Sequence, residues 1–257
     1  MKGEPRSEWS GRRGTSRPRS ERGGKPGQQL KGEQPAGGWA GTSELLLAKA
    51  HYPVTTLGPG RRAGIWTQGC TLHCPGCLSR DTWDADPDTA IPVSAVLGWL
   101  RSLDRVDGVT ISGGEPFQQP EALRELLLGI RAWAPPEVDV LVYSGYALSR
   151  LRGSAWSREL LALCDAVVTG PYIDRLNSPD SGHIWRGSAN QRIIPVSELG
   201  EKRYGDAEGG ETRPHMQISV EADRVYYIGI PRRGDMERLT ERLSLSGVHG
   251  GEVSWRP

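Results

Sequence analysis

Three of the four cysteines in this 257-residue chain, Cys70, Cys74 and Cys77, fall in the run Gly-Cys-Thr-Leu-His-Cys-Pro-Gly-Cys that begins at Gly69. Thiolates at spacings of four and three, in a loop rich in Gly and Pro, can each bind one iron of a single 4Fe-4S cube. The fourth iron then has no protein ligand, and an open iron is a place where a small molecule can bind. The same residues also offer a Cys3His zinc site with His73. Structural zinc sites usually pair their ligands in C-x2-C units across a longer spacer, and His73 adjoins Cys74, which makes convergence of both on one tetrahedral ion awkward. The spacing favours the cluster, with Cys70, Cys74 and Cys77 as its ligands.

Downstream lies Ile111-Ser112-Gly113-Gly114-Glu115-Pro116-Phe117. Two glycines let a backbone approach a ligand with no side chain in the way, and Glu115 offers an acceptor for a cationic amine. Taken alone the stretch reads as an ordinary strand-to-helix turn. After three clustered cysteines it reads as a ligand site.

Further motifs follow in order: Tyr143-Ser144-Gly145-Tyr146, Gly170-Pro171-Tyr172-Ile173-Asp174, and Arg186-Gly187-Ser188-Ala189-Asn190-Gln191-Arg192. Together with Trp66-Thr67-Gln68-Gly69-Cys70 and the two stretches above, they resemble the radical S-adenosylmethionine superfamily. More narrowly, over about residues 45–194, they resemble the activating proteins of anaerobic ribonucleotide reductase.

The resemblance implies a partial (β/α) barrel carrying a 4Fe-4S cluster and S-adenosyl-L-methionine. It also implies cofactor contacts at Gly76, Cys77, Leu78, Ser112, Gly113, Gly114, Glu115 and Pro116. In such proteins an electron from the reduced cluster cleaves the sulfonium to a 5'-deoxyadenosyl radical, which takes a hydrogen atom from a backbone glycine of a partner enzyme. The implied partners are a glycyl-radical enzyme and an electron donor such as flavodoxin or ferredoxin. Two other readings stand beside this one: a radical enzyme acting on a small molecule or peptide, and a non-catalytic metal-binding interaction module.

The donor-rich run Arg186–Arg192 reads equally as a cofactor or partner surface and as a polar loop end, and Asp174 and Arg175 share that ambiguity. His51, His183, His215 and His249 have no ligand spacing and read as surface or packed histidines. Cys164, in Leu-Ala-Leu-Cys-Asp, reads as a small buried hydrophobe.

The elements that must position these groups alternate. Leu45–Ala50 and Ala63–Gln68 read as strands on either side of a Gly-Pro turn, the second delivering the cysteine loop. Pro92 opens a helix with Val93, Val96, Leu97, Leu100 and Leu103 at helical spacing, and Pro120 opens another with Leu123, Leu126, Leu127 and Ile130 on one face. Strands at Gly108–Ile111, Val138–Tyr143 and Ala166–Thr169, with a helix at Ser157–Leu163, complete an order that implies a parallel α/β sheet with right-handed crossovers. The motifs then fall after the strands, at the carboxyl rim where ligands of parallel sheets sit.

Residues 1–41 read as a disordered basic leader, since Leu30 is their only Leu, Ile or Val and nine Lys or Arg face four Glu. This leader has no apolar core of a secretory signal, and nucleic acid is not expected as a partner. Residues 42–195 read as the catalytic domain. Residues 196–257 read as an extension, with a hairpin at Gln217–Ile230 and a short helix at Met236–Leu243. No run of about eighteen apolar residues suggests a membrane span, and the cysteine usage fits the cytoplasm.

Overall fold

The strand Arg62–Thr67 (β2) is buried at every position, as a strand covered on both faces must be. It lies near the middle of a seven-stranded sheet. On one side it pairs antiparallel with β1 (Glu44–Val54), and β1 pairs with the short edge strand β3 (Ala90–Pro92). On the other side follow β4 (Gly108–Gly113), β5 (Asp139–Tyr143) and β6 (Ala166–Thr169), all parallel to β2, and then the antiparallel edge β7 (Arg192–Pro195). The computed structural model describes residues 43–177, 184–206, 216–221 and 224–247; the leader read at 1–41 and His183, His215 and His249 lie outside them.

Alternation along each strand gives the sheet two faces. Ala63, Ile65, Val109, Ile111, Val140, Val142 and Val167 face a core built with α1 (Val93–Arg101), α2 (Pro120–Trp133) and Leu160 and Leu161 of α4 (Ala155–Ala162). The opposite face is covered differently. Trp185 and Tyr204 pack on Leu141, Ala166 and Val168, while Ile228 packs with Val54, Leu57 and Trp66.

The mixed α/β architecture with a largely parallel centre is as the sequence suggested. The edges of the sheet are β3 and β7, and among the described residues no ladder joins them into a barrel. Three elements carry no signal that sequence patterning picks up: β3, β7 and the single-turn-and-a-half helix α3 (Leu148–Gly153). Each is too short to show a period. A further helix, α5 (Glu198–Tyr204), is capped by Ser197, whose hydroxyl accepts from the Gly200 amide.

The hairpin is present as β8 (Met216–Glu221) and β9 (Arg224–Gly229), followed by α6 (Asp235–Leu245). It is tied to the β1–β2 connection through Gln217, which accepts from the Thr55 amide and donates to the Pro53 carbonyl, and through Thr56, which donates to the Ile228 carbonyl. His51 is packed, its ring 5.3 Å from that of Tyr226.

Candidate iron–sulfur site

The cysteine loop leaves the carboxyl end of β2 and returns to it. The amides of Gly69 and Cys70 donate to the carbonyls of Thr82 and Trp83, at 2.8 Å each. Gln68 closes the neck from inside, its amide donating to the Asp81 and Asp84 carbonyls. Within the loop the Cys77 amide donates to the Cys74 carbonyl, and His73 and Gly76 adopt left-handed backbone conformations.

All three cysteines are half-buried. Burial pushes the thiols of Cys70 and Cys74 up, opposed by backbone N–H groups of Leu72 and His73 at Cys70 and of Tyr172 at Cys74. Among the described residues no three His, Cys, Asp or Glu side chains converge on a single ion position. A cube does not need that, because each thiolate binds a different iron. The His73 ring is stacked at 4.6 Å on Trp83, which also carries the Arg80 guanidinium at 4.9 Å. The donor set of three thiols in an amide-lined loop thus fits a 4Fe-4S cluster better than a Cys3His ion. Iron binding would expel the thiol protons, so loading should be easier at higher pH.

The Gly-Gly-Glu turn is joined directly to the root of this loop. Gly114 donates to the Thr67 carbonyl at 2.8 Å and Glu115 to that of Gly69 at 2.9 Å. A Cβ on Gly114 would lie 2.2 Å from the Gly69 oxygen, and one on Gly113, whose φ is +97°, would lie 2.5 Å from the Thr67 nitrogen. The Cβ direction of both glycines is thus taken up by neighbouring backbone. Gly114→Ala is therefore expected to force the turn and the cysteine loop apart. It should cost about 1–3 kcal/mol, read as a lowered thermal midpoint together with weakened iron retention after reconstitution.

Glu115 is fully buried. One carboxylate oxygen accepts from the Ser144 hydroxyl at 2.9 Å and the Phe117 amide at 3.2 Å, the other from the Gly145 amide at 2.8 Å. Burial raises its pKa to about 7, with the three donors pulling it back. The carboxylate thus locks the turn after β4 to the turn after β5. The half-buried parts of the motif are Ser112, Gly113 and Gly114; Pro116 is buried, Gly76 exposed and Leu78 half-buried. Glu115→Ala strands two amides and a hydroxyl, an expected loss of about 3 kcal/mol or more, measurable by denaturant unfolding of the metal-free chain.

Residues that sequence reasoning passed over complete the frame. Gln118 donates to the Thr71 hydroxyl and to the Tyr146 hydroxyl, and accepts from the Thr71 amide. Gln119 bonds both Leu46 and Gln68. Arg150 lies 3.7 Å above the Tyr146 ring. The only hint was the Phe-Gln-Gln extension of the Gly-Gly-Glu-Pro run.

The donor-rich run after Trp185 is absorbed by its own loop and by the neighbouring segment 170–173. Gln191 accepts from the amides of Gly187 and Ser188 and donates to the Gly170 carbonyl; Asn190 donates to the Pro171 carbonyl; Ser188 bonds Asn190 and the Ile173 amide.

Three thiols on a loop at the carboxyl rim of a largely parallel sheet define an iron–sulfur protein of α/β class. Residues 56–194 match the model of the 4Fe-4S single cluster domain family. The chain is 32% identical over 150 residues to the anaerobic ribonucleoside-triphosphate reductase-activating protein of Escherichia coli K12, covering 56% of this chain and 94% of that one. It is 30% identical over 140 residues to the protein of the same name from Enterobacteria phage T4, covering 53% and 85%, and 30% over 150 residues to that of Vibrio cholerae, covering 56% and 94%. The chain belongs to this family of 4Fe-4S activating proteins.

No helix among the described residues is long and apolar enough to cross a membrane.

Proposed function

We propose that this chain is a radical S-adenosylmethionine enzyme that installs a glycyl radical on a partner enzyme of the anaerobic ribonucleotide reductase kind. The observation that carries the reading is the pair of hydrogen bonds fastening Gly114 and Glu115 to Thr67 and Gly69. They put a cysteine loop and a half-buried turn in fixed register, so a ligand of one is held against the other. When bound, the cluster and S-adenosyl-L-methionine supply the electron transfer and bond cleavage.

The chain's own residues bind and position. Cys70, Cys74 and Cys77 would hold the cluster, and the cofactor's amine and carboxylate would bind beside them. The backbone of Ser112, Gly113 and Gly114 would receive the methionyl end, and Gly76, Cys77 and Leu78 would contribute further contacts. Glu115 and Pro116 act from beneath, because the Glu115 carboxylate has no exposed surface and three donors already on it. The electron arrives from a donor such as flavodoxin or ferredoxin. The activity of the named relatives, reductase activation, supports a protein as substrate.

The test is anaerobic reconstitution with iron and sulfide, then reduction and electron paramagnetic resonance with and without S-adenosyl-L-methionine, scoring 5'-deoxyadenosine in the same tubes. A reduced-cluster signal altered by the cofactor, with nucleoside released and a stable organic radical on an added glycyl-radical reductase, is the expected result. Stoichiometric zinc and no cluster would overturn it in favour of a binding module.

A further inference from the structure

The chain that follows β9 runs back toward the iron–sulfur site from outside the region that matches the family model, which ends at residue 194. Ile228 is anchored in the apolar cluster on the open face of the sheet, with Ile230 packed against it. From there Pro231 reaches the segment 170–177, where Asn177, 7% exposed, donates to the Pro231 carbonyl at 3.0 Å and to the Tyr172 hydroxyl at 3.1 Å. The Tyr172 hydroxyl in turn donates to Asp174, and Arg233 pairs with the other oxygen of that carboxylate at 3.1 Å.

Both linked residues touch the cysteine loop. The Tyr172 backbone N–H donates to the Cys74 sulfur. Asp174 lies so close to Gly76 that a Cβ there would meet the Asp174 Cβ at 2.9 Å. Hydrogen bonds to a ligating sulfur favour the reduced, more negative cluster and so raise its reduction potential.

We propose that Asn177 and Arg233 are positioning residues for the iron–sulfur site. Asn177, which ties the segment to the Pro231 carbonyl, and Arg233, which reaches Asp174 from the strap, hold segment 170–177 against the cysteine loop and keep the Tyr172 amide on the Cys74 sulfur. The inference rests on the cluster reading of the proposed function. Asn177 is the stronger grip, being buried, whereas the Arg233–Asp174 pair is partly exposed and individually weak.

The experiment is a one-electron redox titration of the reconstituted full chain, with dithionite as the reductant and the paramagnetic resonance spectrum of the reduced cluster as readout. Asn177→Ala is expected to move the midpoint to lower potential and change the line shape. Arg233→Ala should move it the same way by less, and Arg233→Lys should restore it. Arg124→Ala, which removes an exposed ion pair between α2 and Glu159 of α4, should sit at the wild-type value. Arg233 is exposed, so its variant keeps the test valid even where Asn177→Ala fails to fold. Unchanged midpoints in Arg233→Ala and in any folded Asn177→Ala would overturn this inference alone. A wild-type chain that takes up no cluster would overturn it together with the proposed function.

Discussion

Cys74→Ala is expected to leave the chain folded and unable to assemble its cluster. Cys74 is the middle cysteine of the loop: its carbonyl accepts from the Cys77 amide and its sulfur receives the Tyr172 amide. Removing the thiol leaves two thiolates where a cube needs at least three to be held. The backbone bonds that shape the loop, at Gly69, Cys70 and Cys77, do not involve the side chain and survive.

The informative control is Cys164→Ala. Cys164 is buried at the end of α4, its thiol lies 3.2 Å from the Leu160 carbonyl, and burial pushes its pKa up to about 12. It is therefore inert toward iron. Its truncation should cost about 1 kcal/mol of packing and no iron. Iron and sulfide per chain after identical reconstitution separate the two variants, and equal loss from both would sink the ligand assignment.

The proposed iron ligands are local in the sequence: three cysteines on one loop suggest their chemistry by spacing alone. What holds the loop in place was much less visible. Gln118 meets Thr71 across 47 positions, Gln119 meets Leu46 across 73, and Glu115 meets Ser144 across 29. No pattern in a single chain distinguishes such glutamines from surface ones.

The two glycines show a subtler gap. Their need for small size was legible, but the neighbours that impose it are the backbone of Thr67 at Gly113 and the carbonyl of Gly69 at Gly114, known only once β2 and β4 are side by side. Long, strongly periodic helices such as α2 could be anticipated. The short edges β3 and β7 could not, since their pairing partners and not their own residues make them strands.

Asp139→Ala is expected to be the most destabilising single change at a distance from the iron–sulfur loop. At the start of β2, Arg62 is buried completely, and all its N–H directions are used: Nε on the Thr110 hydroxyl, the two terminal nitrogens on both oxygens of Asp139 and on the carbonyls of Pro59 and Val109. Gly108 makes room for it, since a Cβ there would stand 2.2 Å from the guanidinium. Asp139 is as deeply buried and is also bonded by the Tyr204 hydroxyl and paired with Arg203, so α5 is fastened to the sheet through it.

Breaking such a pair from one side leaves an uncompensated charge in the interior, which costs about 3–5 kcal/mol. The Arg62 guanidinium, held charged by Asp139 against the pull of burial, cannot shed its proton to escape. Denaturant unfolding of the metal-free variant should therefore show a stability lowered by about 3–5 kcal/mol, seen as a midpoint shifted down by that energy divided by a nearly unchanged slope. Arg62→Met combined with Asp139→Leu removes both charges and should recover much of the loss.

The network sits at the amino ends of the strands, roughly 16 Å along β2 from the rim that carries the cysteines, at about 3.3 Å per residue. At low temperature, where the folded form still predominates, Asp139→Ala should accordingly take up iron to the wild-type level. Lost cluster in a demonstrably folded Asp139→Ala would mean that the two rims are coupled through the strands and that the separation of stability from chemistry drawn here is wrong.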